Sequence, residues 1–160
     1  MSTEYLNGVR NYYGPRGTED LYGAGVKTEG HTTQLEWVFN YDDLPAYQAN
    51  GAGALVIPQY SIITSARMYA ITGLLTSTAM TVGLTDDDGG GAMDADGLIT
   101  AAVGTAAALA AGLWVLGTGA MIANTVSVDE DAQLVVATTG SAATAGKFRL
   151  IVEYMRPKAS

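Results

Sequence analysis

From Thr33 onward, apolar and polar positions alternate with a period of two over stretch after stretch, the pattern of half-buried β-strands. Leu35, Trp37, Phe39 and Tyr41 fall on one face of the first strand, which alternation marks as the buried one, and Gln34, Glu36 and Asn40 fall on the other. Asp42, Asp43 and Pro45 turn the chain, and Asn50-Gly51 makes a second turn before a short strand over 54–57 that Pro58 ends. Residues 60–75 read as one long strand. Ile62, Thr64, Ala66, Met68 and Ala70 take one side and Ile63, Ser65, Arg67, Tyr69 and Ile71 the other, and two largely apolar faces predict a central place in a sheet. A further strand over 79–85 is stopped by Asp86-Asp87-Asp88 and Gly89-Gly90-Gly91, a strong loop signal.

The last third begins with an uncharged Ala/Gly/Thr-rich run, 97–128. Within it, Thr105 caps a short helical stretch that Gly112 would end, and 114–116 and 125–128 read as short strands. The Ala-rich stretch is too short to be a stable helix by itself. Two alternating strands close the chain, 133–138 and 147–155, and the small-residue turn between them predicts a hairpin. Phe148, Leu150, Val152 and Tyr154 share its inner face, opposite Lys147, Arg149, Ile151, Glu153 and Met155. Many strands with Gly-rich connections predict an all-β antiparallel sandwich, with the jelly roll as its expected form.

The first thirty residues break this pattern. Glycines and tyrosines dominate, aliphatic residues are sparse, and Pro15 interrupts any helix. The expected organisation is therefore an extended N-terminal arm over 1–32 and a sandwich over 33–160. The arm depends on a partner surface for its order. Arg10 and Arg16, set among Asn11, Tyr12, Tyr13, Gly14 and Pro15 and followed by Tyr22, are its candidate docking residues, because arginine and tyrosine dominate binding hot spots.

At 160 residues the chain is long enough to bury a core without staples, and it has no cysteine. Its net charge of −8 opposes nucleic acid, whose binding is led by phosphate neutralisation. The run 97–128 has the length of a membrane span, but its five glycines, four threonines and lack of a basic flank argue against one. The first ten residues lack the basic start and apolar core of a signal peptide.

No constellation of residues assembles a catalytic centre. His31 is the only histidine, without a nucleophile elbow or a metal-binding companion. Gly140 to Lys147 departs from a phosphate loop in its glycine spacing, and Phe148 stands where the magnesium-binding hydroxyl would be. Asp88, Asp94 and Asp96 could offer oxygen to Ca²⁺, but the spacing is not that of an EF-hand and the plain reading is a solvated turn. No cofactor is expected.

The arm Asn7-Gly-Val-Arg-Asn-Tyr-Tyr-Gly-Pro-Arg16, the Val56-Ile-Pro58 segment before a long strand, the Met93-Asp-Ala-Asp-Gly-Leu98 turn and the final Gly146-Lys-Phe-Arg-Leu-Ile-Val-Glu-Tyr154 strand, taken in order, resemble the jelly-roll decoration or cement proteins of tailed-bacteriophage heads. That resemblance implies a structural virion protein on the capsid exterior, made in the host cytoplasm. It also implies a homotrimer that bridges major capsid proteins through a terminal arm, and the expected protein is not an enzyme and has neither a nucleic-acid nor a membrane partner. Apolar residues on both faces of 60–71, with Ile151 and Met155 on the outer side of the last strand, independently suggest that an oligomer covers apolar surface. The alternative is a carbohydrate- or receptor-binding module of a head fibre or tail, with Trp114 as the exposed aromatic.

Overall fold

The computed structural model describes residues 2–6, 9–13, 32–46, 55–86, 92–124 and 130–155. The chain divides into two compact units, Met1–His31 and Thr32–Ser160. In the first, β1 (Ser2–Leu6) and β2 (Val9–Tyr13) form an antiparallel pair in which Tyr5 lies opposite Arg10 and Thr3 opposite Tyr12.

The second unit is a sandwich of two four-stranded antiparallel sheets. Its strands are β3 (Thr32–Asn40), β4 (Val56–Ile57), β5 (Ile62–Leu75), β6 (Ala79–Asp86), β7 (Ala92–Ile99), β8 (Trp114–Leu116), β9 (Ala132–Thr139) and β10 (Ala145–Met155). One sheet has the order β3-β10-β5-β8 and the other β4-β9-β6-β7. The first strand of the body thus pairs with the last and the second with the last but one. This nested order, repeated across eight strands and two sheets, is the double Greek key of a jelly roll. The described residues contain no helix.

Alternation builds the core from both inner faces. Phe39, Ile63, Met68, Ala70, Phe148, Leu150 and Val152 meet Met80, Val82, Leu84, Leu134 and Val136, all buried. The Phe39 and Phe148 rings pack 5.8 Å apart at a tilt, a geometry that suits the aromatic quadrupole. The long strand is central, as its two apolar faces predict, but its alternation is broken. Opposite β10, the register slips between Ile63 and Ser65, between Ala70 and Thr72 and again between Thr72 and Leu75, and Thr64 and Ile71 are the extra residues at the first two bulges. Ile63 and Ala66 consequently both point inward.

Several expectations need correction. The last two strands are not a hairpin: β9 pairs with β4 and β6, and β10 pairs with β3 and β5, so the chain crosses from one sheet to the other between them. Met93-Asp-Ala-Asp-Gly-Leu98 is not a turn but most of β7. At 105–112 the cap signals are genuine, since Thr105 Oγ1 accepts the Ala108 N–H at 3.3 Å, Leu109 N–H reaches Thr105 O, and Gly112 adopts φ +84°. The run stops after one turn, because Leu113 must re-enter a ladder through its carbonyl to Ala70. Trp37 is half-buried rather than buried, since β3 is an edge strand with an open flank. The expected strand over 125–128 lies outside the described residues.

The small-residue run finds its reason in backbone-on-backbone packing. A Cβ on Gly119 would lie 2.1 Å from the carbonyl oxygen of Gly97, where the N–H groups of Gly119 and Met121 bond to Leu98 O and Gly97 O. The same run pairs with the first sheet through β8 and with the second through the Ala79–Thr105 bridge. Among the described residues no helix is long and apolar enough to cross a membrane.

Candidate interaction surface

The two sheets differ on their outward sides. On the outer face of β3-β10-β5-β8 the strand registers line up two continuous rows. Trp114 of β8, Tyr69 of β5, Arg149 of β10 and Val38 of β3 form the first, and Leu116, Arg67, Ile151 and Glu36 the second. Trp114 is 51% exposed and Leu116 66%, and the Trp114 and Tyr69 rings sit 5.0 Å apart at a tilt.

Charge on this face is organised along diagonals. Arg67 pairs with Glu153 at 2.7 Å, and Ser65 Oγ donates to the other carboxylate oxygen of Glu153 at 2.8 Å. Arg149 pairs with Glu36 at 3.1 Å. Ile151 lies in the ladder between Arg67 and Glu36, and although it faces outward it is only 8% exposed, because long flanking side chains cover it with their aliphatic stems. Lys147 forms no ion pair with a described residue. Exposed Val38, Ile71 at the bulge and Met155 extend the apolar surface. Trp, Tyr, Arg and Met are the residue types enriched in the buried centres of protein interfaces.

The outer side of β4-β9-β6-β7 offers nothing similar. Ala79, Thr81, Gly83 and Thr85 of β6 alternate with the core-facing residues, and all are buried, as is Gln133 of β9. Of the large apolar residues exposed among those described, none belongs to this sheet.

Of the candidate docking residues, Arg10, Tyr12 and Tyr13 lie on β2, while Arg16 and Tyr22 fall outside the described residues. Asp94 and Asp96 lie on β7, where Asp94 Oδ1 accepts the Asp96 N–H at 3.3 Å; Asp88 falls outside. No three acidic or histidine side chains converge as a metal-ligand set among the described residues. The outer-face set of Arg67, Tyr69, Leu116 and Arg149 is not legible as a site in the sequence, which singles out Trp114 and places Ile151 and Met155 on an outer face. The signal is present in β10, where Lys147, Arg149 and Glu153 alternate with a buried row but enclose Ile151.

Comparison with solved structures finds the same fold in phage particles. A chain of the cyanophage Pam1 capsid asymmetric unit aligns over 90% of this chain and 98% of its own, with a TM-score of 0.51 and 16% identity. A chain of the capsid of Ralstonia phage GP4 aligns over 86% of this chain and 93% of its own, with a TM-score of 0.53 and 16% identity. At this identity the likeness concerns the fold. No family model matches the sequence, and neither does any curated protein.

Proposed function

We propose that the chain is a structural virion protein, a decoration or cement protein that binds the outer surface of a phage head and stabilises it by bridging major capsid proteins. The observation that carries this reading is the jelly roll itself, whose neighbours over nearly their whole lengths are chains of two phage capsid structures. The exposed aromatic and aliphatic rows, with their paired charges, have the composition of a contact surface rather than of a reaction centre. On this reading the protein is not an enzyme, assembles as a homotrimer, and sits on the capsid exterior after synthesis in the host cytoplasm. The unit Met1–His31 is the arm that holds the shell, with Arg10, Tyr12, Tyr13, Arg16 and Tyr22 as its contacts.

The test is sedimentation with purified heads stripped of this protein. The full chain is expected to co-sediment at a fixed ratio to the major capsid protein, and a chain lacking residues 1–25 is expected not to. Equal binding by both would remove the arm's role, and no binding by the full chain would remove the shell reading.

One observation favours a second reading, a carbohydrate- or receptor-binding module. Trp114 is half exposed against Tyr69 on the outer face of a sheet, an arrangement on which a sugar ring could stack. Quenching of Trp114 fluorescence by glycans in a Trp37→Phe background would support that reading, and unchanged fluorescence would count against it.

A further inference from the structure

We infer that the outer face of β3-β10-β5-β8 is the seat of a second copy of this chain, with the Trp114–Leu116 edge and the Lys147–Arg149 corner as its centre. The inference deepens the homotrimer reading and rests on it. The surface is too apolar to stand open: Val38, Ile71, Trp114, Leu116 and Met155 are all exposed on one side of one sheet, while the outer side of the other sheet exposes no large apolar residue among those described.

Charge selects the occupant. In the sandwich, all the described basic residues, Arg67, Lys147 and Arg149, lie on this face, and with Glu36 and Glu153 they give it a net charge of +1. The described aspartates of the sandwich, Asp42, Asp43, Asp86, Asp94, Asp96 and Asp131, lie elsewhere, away from these three bases. Two copies that approach through those acidic regions repel each other. A copy that presents an acidic region to this face meets the described bases of the sandwich. Such a contact joins unlike surfaces, and unlike surfaces related by a three-fold rotation close into a ring. Arg67 and Arg149 are already committed to Glu153 and Glu36, which leaves Lys147 as the first base available to a neighbour.

The experiment is native mass measurement across a concentration series on the full chain, on Lys147→Glu/Arg149→Glu and on Trp114→Ala/Leu116→Ser, with head binding assayed in parallel. The wild type is expected at three times the 16.6 kDa chain mass. Each double variant is expected to raise the concentration of half-dissociation by about tenfold or more while it still unfolds cooperatively. Variants that stay trimeric at wild-type concentrations would overturn the inference, and trimeric variants that lose head binding would overturn it by giving this face to the shell instead. A monomeric wild type would overturn it together with the oligomer reading. A trimer that depends on this face yet fails to bind heads would support the inference and remove the shell reading alone.

Discussion

The two sheets of this sandwich are equal inside and unequal outside. Each contributes a row of large residues to one shared core, Phe148 and Leu150 from one side and Leu84 and Leu134 from the other, all buried. Outward, the β4-β9-β6-β7 sheet carries Ala79, Thr81, Gly83, Thr85 and Gln133, all buried, whereas the β3-β10-β5-β8 sheet exposes Trp114, Leu116 and Val38 among ion-paired arginines. Stability is therefore symmetric between the sheets and interaction is not. A jelly roll needs only its inner faces to fold, so its outer faces are free to differ.

Substitutions can break that contrast at several levels. The largest effect is expected in the common core: Phe148→Ala should cost about 3–5 kcal/mol and Leu84→Ala about 2–5 kcal/mol in urea unfolding. Losses of similar size in the two sheets would bear out the shared core, and a negligible loss at either position would contradict it. Gly119→Val forces a side chain against the Gly97 carbonyl and is expected to cost about 1–3 kcal/mol or more, read in the same assay. On the outer face, a double-mutant cycle on Arg67 and Glu153 should give a coupling of only about 0.2–1 kcal/mol, since both side chains are partly exposed to solvent. Smallest of all, Trp114→Ala/Leu116→Ser should change the unfolding free energy of the separated chain by no more than about 0.5–1 kcal/mol. A much larger loss would mean that the outer row belongs to the fold rather than to a contact.

Much of the fold is legible in the sequence because alternation reports which way a side chain points. Phe148, Leu150, Val152 and Tyr154 announce β10, and the pattern from Leu35 to Phe39 announces β3. Alternation does not report which strand lies alongside, so the nearness of β9 and β10 in the chain suggests a hairpin that the jelly roll does not contain. Nor does it register bulges: Thr64 and Ile71 each add one residue and reset the phase of β5, which is how Ile63 and Ala66 come to share the core. In β7 the acidic pair Asp94 and Asp96 disguises a strand as a turn.

The candidate surface is legible only in part for the same reason. Trp114 and Arg149 lie 35 positions apart in the sequence and meet in one row only because Tyr69 pairs with both strands. No local signal carries that information. The arm presents the reverse case, since its Arg and Tyr composition stands out in the sequence while Arg16 and Tyr22 lie outside the described residues.

Whether this jelly roll decorates a phage head is decided by its copy number per particle, from quantitative mass spectrometry of purified virions. A decoration protein is expected at hundreds of copies in a simple ratio to the major capsid protein. Absence from the particle, or a mere handful of copies, would contradict it.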